Sequence, residues 1–327
     1  MKARVKRFVP GADEVWRLQH GKGADCDLFR EVAEQGHYGG RTQPSDTRQG
    51  TYAFAPSGAF LASINTNDPA AMARMLEQAL VAWKKLGRDE RRLPADRRAA
   101  RADAERLERL YPTDGLVLVV VTRDVGRSEK EKAADRGRPA DWRAAAFNRD
   151  FAWFRRDEAL AFVPDEGRAG AERDVPRPLV ERLARFSLVD NVRGQTPAYR
   201  PEHVEVAELR SRVVKADGAR LTLRLEGRTR TRETGRWPVR GFEDAGRPTE
   251  QERGYEAKLL GRATLDRGTG RFVAFELVAL GERRGGTQYN FRGDDLDPAP
   301  LGVALTLAGD DPEDRVAPAH VWAYGWK

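Results

Sequence analysis

Apolar positions recur with two periods along this chain, and the change from one to the other divides it. Asp13-Glu14-Val15-Trp16-Arg17-Leu18 alternates and predicts a short strand. Leu28, Phe29, Val32 and Ala33 fall at helical spacing, with Asp25 as the expected N-cap and Gly36 as the stop. Thr51-Tyr52-Ala53-Phe54-Ala55 and Phe60-Leu61-Ala62-Ser63-Ile64 flank the turn signal Pro56-Ser57-Gly58 and predict a hairpin. Asp68-Pro69 then opens the clearest helix, with Met72, Met75, Leu76, Ala79, Leu80 and Trp83 on one face.

Beyond Gly87 the pattern loosens. Residues 88–110 are rich in Arg, Ala, Asp and Glu, interrupted by Pro94, and read as a solvent-exposed charged helix. Leu116-Val117-Leu118-Val119-Val120-Val121 has the length of a buried strand, and residues 126–140 read as a polar loop. The aromatic cluster from Trp142 to Phe154 reads as core, with a stacking platform as the alternative. Short helices are expected over 156–163 and after Pro176-Arg177-Pro178. Period-two segments then follow at 204–214, 220–228, 254–265, 271–280 and 301–307, as consecutive hairpins of an antiparallel sheet do. Residues 229–253, polar and rich in charge, read as a surface excursion between two of those strands.

Composition adjusts this picture in four ways. Length allows two domains, each with its own core: 327 residues. The basic excess, 58 Lys and Arg against 51 Asp and Glu, is spread along the chain rather than clustered, so nucleic acid is not the expected partner. No apolar run approaches the ~18 residues of a membrane span. The first ten residues are basic with no apolar core, so they do not read as a secretory signal. The cytoplasm is the default compartment, with export open if the N-terminus was trimmed.

Candidate chemistry centres on Cys26, the single cysteine. In the first turn of a helix its thiolate is favoured by unpaired N–H groups and the dipole, while Asp25 and Asp27 oppose ionisation. His20 is the candidate base for a Cys26 nucleophile. A metal site built from His20, Cys26 and His37 has spacings of six and eleven residues, which match no standard ligand motif. Asp294-Asp295-Leu296-Asp297 and Asp310-Asp311 are acidic runs able to hold a surface cation or simply stay solvated. His203 and His320 read as structural. The chain has no Gly-rich phosphate loop, no Gly-x-Ser-x-Gly and no His-Glu-x-x-His, so no cofactor or metal is expected.

The order strand, Cys-bearing helix, hairpin and closing helix over about residues 13–86 resembles the thioredoxin-like superfamily. Cys26-Asp27-Leu28-Phe29-Arg30-Glu31-Val32 is similar to its catalytic turn and following helix, and Thr51 to Gly58 to its hairpin. The chain also resembles uncharacterised, often exported, bacterial proteins that place such a domain before a β-rich one. Two features depart from the superfamily: Cys-x-x-Cys is missing, and no proline stands near Gln49-Gly50. An internal dithiol cycle needs two sulfurs, so disulfide oxidoreductase activity is excluded. The resemblance implies an α+β protein: a thioredoxin-like α/β domain (1–87), a charged helical linker (88–112) and an antiparallel β domain, barrel or sandwich, with a few short helices (113–327). The expected function is a non-enzymatic binding or interaction protein whose partner is a small molecule or a protein. The alternative is a one-cysteine thiol enzyme or redox sensor using Cys26 and His20.

Overall fold

A computed structural model describes residues 2–9, 11, 13, 15–40, 47–66, 68–95, 112, 114–126, 146–239, 247–311, 314–316 and 324–326. The chain divides into two compact units, Met1–Leu107 and Glu108–Lys327.

The first unit holds α1 (Lys2–Val5), α2 (Val15–His20), α3 (Ala24–Gln35), β1 (Thr51–Phe54), β2 (Phe60–Ile64) and α4 (Pro69–Lys85). The hairpin and α4 form where the pattern places them. The Asp68 carboxylate accepts the Ala70 and Ala71 N–H groups at 2.8 and 3.1 Å, which satisfies two of the orphan donors of the first turn. Met75, Leu76 and Ala79 of α4 pack on Ala53 and Ala62 of the antiparallel β1–β2 pair. On the hairpin's alternate positions, Tyr52 meets Phe29 of α3 edge to face, with ring centroids 5.7 Å apart.

The thioredoxin-like assignment fails at its first strand. Residues 15–20 are helical, so among the described residues the sheet of this unit has two strands, and the elements before the Cys-bearing helix are the helices α1 and α2. Interactions at i,i+4 favour the helix: Trp16 and His20 rings lie 4.2 Å apart, and Arg17 pairs with Asp13. The chain as a whole is mostly sheet, carried by one eight-stranded antiparallel sheet with few helices. It is not a thioredoxin-like α/β domain joined to a separate β domain. The charged helix read over 88–112 lies largely outside the described residues; 88–94 are turn and coil.

The second unit consists of β3 (Leu116–Asp124), β4 (Phe147–Phe154), α5 (Arg156–Leu160), β5 (Glu172–Asp174), α6 (Arg177–Phe186), a 3-10 turn (Pro201–His203), β6 (Val204–Ala216), β7 (Arg220–Trp237), β8 (Thr249–Asp266), β9 (Arg271–Arg284) and β10 (Ala299–Leu307). The strand order is β4-β3-β10-β9-β8-β7-β6-β5, with every pair antiparallel. Among the described residues this is one open sheet with two edge strands, neither a barrel nor a sandwich. The expected excursion over 229–253 is instead the far half of β7 and the near half of β8, paired in register from Thr229↔Ala257 to Trp237↔Thr249.

One face of the sheet carries the core. Leu209, Val213, Leu223, Leu225, Leu259, Leu277, Val303 and Leu305 share one core with Leu179, Val180, Leu183 and Ala184 of α6, which packs on β6 and β7. The inward row Leu225–Gly261–Leu277 needs its glycine, because an added Cβ would strike the Glu276 carbonyl and the Leu277 backbone. Such close backbone approach on the inner side is how a long sheet is curved around a helix. The opposite face is a ladder of arginine–carboxylate pairs, among them Arg228–Glu208, Arg230–Glu256 and Arg232–Glu252. No helix among the described residues is long and apolar enough to cross a membrane.

Candidate functional site

The C-terminus of α6 leads into a loop, residues 187–196, that forms one wall of a pocket. Ser187 and Leu188 both donate to the Leu183 carbonyl, closing the helix and turning the chain. The Asn191 side chain accepts the Thr196 N–H at 2.8 Å, and Gln195 forms a single bridge with Tyr289. Gly194 sits where a Cβ would strike the Tyr289 carbonyl and the Phe291 ring. The first half of edge strand β4, from Phe147 to Phe151, also lines the pocket, as do Phe186 and Tyr324. The cleft is broadly open to solvent, with a volume of about 650 Å³, and is lined by Asn148, Asn191, Arg193, Gln195 and Thr196 together with aromatic residues.

The loop is held from behind by buried charge. Arg292, fully buried, donates from Nε to Asp190 at 2.8 Å, from Nη1 to Asp124 and Asp295 at 3.0 and 2.9 Å, and from Nη2 to Asp124 and Asp190 at 2.7 and 2.8 Å. All five guanidinium donors are thus used. Arg283 reaches Asp295 through Nη2 at 2.5 Å, and Arg193 joins Asp124 and Asp295 at 3.2 and 2.8 Å. Three arginines therefore meet three aspartates from β3, the pocket loop, β9 and the β9–β10 connection, and the charges balance. Phe291, beside Arg292, holds φ at 53°, a left-handed conformation that costs a non-glycine residue about 1–2 kcal/mol. Burial alone would lower the Arg292 pKa, but the Asp190 and Asp124 hydrogen bonds outweigh it and hold the guanidinium above its ordinary value. Burial would likewise raise the Asp295 carboxyl; Arg283, with Arg193 and Arg292, holds it below the usual range. Arg193 is pushed down by burial and by its neighbour Arg292. Its Nε, like that of Arg283, is a buried donor with no hydrogen-bond partner.

Tyr324 packs against a further arginine. Arg182 of α6 donates to both Glu158 oxygens at 2.8 Å and to the Trp153 carbonyl at 3.2 Å. Its guanidinium also lies 4.5 Å from the Tyr324 ring centre and 4.8 Å from that of Phe154. Trp326 donates to Glu158 at 3.2 Å and meets Tyr324 edge to face. The aromatic cluster of 147–154 is thus split: Phe151, Trp153 and Phe154 are buried, while Phe147 is 60 % exposed at the pocket. Trp142 lies outside the described residues.

Cys26 stands in the first turn of α3, as expected, but the cap is Gly23, and Asp25 turns to pair with Arg17. The thiol is 0 % exposed and donates to the Arg17 carbonyl at 3.5 Å, with Arg17 Nη1 3.6 Å from the sulfur. Burial, and then the Asp25 charge, push its pKa up. His20, at the end of α2, hydrogen-bonds the Gln19 side chain at 2.8 Å rather than the thiol. His37 stacks on Tyr52 and bonds Ser63 Oγ at 2.8 Å, tying the end of α3 to the hairpin. Among the described residues no group of three or more His, Cys, Asp and Glu side chains is placed to hold a metal ion. His203 faces Glu233 at 3.7 Å in the second unit, and His320 lies outside the described residues.

No family model, curated protein or solved structure matches this chain.

Sequence reasoning missed the pocket and the arginine cluster together. Asp295 belongs to an acidic run singled out as a cation holder, and the cation it holds is the chain's own guanidinium groups. Partners separated by 168 residues, as Arg292 and Asp124 are, leave no local signal.

Proposed function

We propose that this chain is a non-enzymatic binding protein and that its ligand site is the pocket between β4 and the 187–196 loop. The observation that carries the reading is a cleft of about 650 Å³ whose polar and aromatic lining rests on a loop locked by buried charge. Small-molecule sites have this size, with a few placed polar groups among aromatic walls, and a wall fixed in advance lowers the ordering cost of binding. Cys26 supports the same reading by its condition: a sealed thiol with a raised pKa is the reverse of an activated nucleophile.

The test is chemical-shift mapping of labelled protein against a library of small polar aromatic compounds. Shifts confined to 147–151, 186–196 and Tyr324 are the expected result. Hits that map elsewhere, or none at millimolar concentration, refute it. In parallel, native Cys26 should resist iodoacetamide up to about pH 8.5, the free-thiol range, and react once the protein is unfolded. Rapid native labelling would return the thiol-enzyme alternative.

A further inference from the structure

On observations independent of the pocket, we infer that the outer face of the sheet over β8, β9, β10 and β3 docks an acidic amphipathic helix of a protein partner. Leu260, Val278, Ala304 and Val121 stand opposite one another on these four adjacent strands and form a single apolar row, with Leu280 beside it. Such neighbours are about 5 Å apart, so the row runs about 14 Å across the sheet. Leu260, Val278 and Leu280 are 57, 47 and 55 % exposed. Single apolar side chains are ordinary on a surface, whereas a contiguous set marks an interaction site. Where the same face is apolar over β3 and β4, the chain covers it: Val117, Phe151 and Trp153 are buried, Trp153 donates to the Val316 carbonyl at 3.0 Å, and Arg149 pairs with Asp314. The inner face is covered by α6. A helix laid on a sheet is the usual way such a face is buried, and along this row it would present apolar residues at i, i+3, i+4 and i+7.

Charge sets the sign of that partner. On the β6–β8 half of the face the arginines of β7 are met by carboxylates, as in Arg224–Glu226 and Arg228–Glu208. Over the other four strands, within the apolar row and the rows on either side, Lys258, Arg262 and Arg123 make no ion pair among the described residues. Glu276, in register with Arg262, is the one carboxylate there. Three cations against one anion leave an excess of two positive charges, which acidic side chains flanking an apolar stripe would answer. An anionic bilayer is disfavoured, because Glu208, Glu226 and Glu256 share the face and would meet it. A helix narrow enough to stay on the row avoids them.

The probe is a helical peptide of about 12 residues, long enough to cross the row, with leucines on one face and glutamates on the other. Its counterpart carries lysines in place of the glutamates. Fluorescence anisotropy reads affinity, and chemical-shift mapping of labelled protein reads location. The glutamate peptide should bind at least tenfold more tightly than the lysine peptide and shift residues of the apolar row. Lys258→Glu combined with Arg262→Glu should weaken it at least tenfold and reverse the preference. Leu280→Ser, at an exposed site where the far-UV spectrum should be unchanged, should weaken both peptides. Equal binding of the two peptides, shifts confined elsewhere, or no binding at millimolar concentration overturns the inference. So does a wild-type dimer in sedimentation that Leu280→Ser dissociates, which would make the occupant a second copy. Adsorption to phosphatidylserine vesicles that the glutamate peptide fails to compete would make it a membrane, and also overturns it. The pocket reading stands or falls separately from all of these outcomes.

Discussion

The second unit uses one chemistry, arginine against carboxylate, in two places with opposite consequences. On the outer face of the sheet, Arg228–Glu208, Arg230–Glu256 and Arg232–Glu252 stand in water, with each arginine half exposed. Behind the pocket loop, Arg193, Arg283 and Arg292 are removed from it. Exposed pairs gain little, because solvent and salt screen the attraction and long side chains lose freedom to make it. Buried pairs cost desolvation and are held only where opposite charges meet at close range. The outer ladder therefore keeps the sheet wet and in register, while the inner cluster fixes where a loop must lie.

The sharpest way to break this contrast is Arg292→Met. Three aspartates would lose their shared partner, and the expected loss is about 3–5 kcal/mol in urea unfolding of the second unit. Arg292→Lys should recover little of it, since a point charge cannot serve Asp124, Asp190 and Asp295 at once. A loss no larger than that of an outer-face variant would end the distinction.

Next in size is Gly261→Ala, at about 1–3 kcal/mol by the same measurement, because the inner face has no room for the methyl group. Acid should also weaken the buried pairs. Asp295 and Glu158 titrate below their ordinary range when folded. Their contribution is complete above the unfolded carboxylate range and is lost as pH falls through it, from about pH 5 downward. Thermal unfolding measured from pH 7 to pH 2 should show stability declining over that window, with less decline in Asp295→Asn. At the small end, Arg230→Ala should leave the urea midpoint within experimental error, and added salt should leave the effect of Arg292→Met largely intact.

What the chain's pattern revealed follows from whether a signal was local. The α4 helix was legible because Asp68, Pro69 and six apolar residues sit within seventeen positions. The sheet was legible wherever leucine alternated with charge, as in Leu221, Leu223 and Leu225. The halves of β7 and β8 around 229–253 were misread because both faces are polar there: Thr229, Thr231 and Arg253 point inward and are buried. Without an apolar row, a strand looks like a loop. The strand expected at 13–18 failed for a related reason. Two turns of helix and one short strand carry the same few apolar residues, and the deciding contacts, Trp16–His20 and Arg17–Asp13, are visible only at spacing four. Cys26 was placed correctly at a helix start, but its burial depends on tertiary packing.

The left-handed Phe291 and the fully engaged Arg292 beside it have a kinetic consequence. A wall anchored this way cannot swing aside without parting several ion pairs, so under the proposed binding role a ligand would enter through a mouth that already exists. Association should then be a single phase whose rate rises in proportion to ligand concentration, with no slow isomerisation before or after encounter.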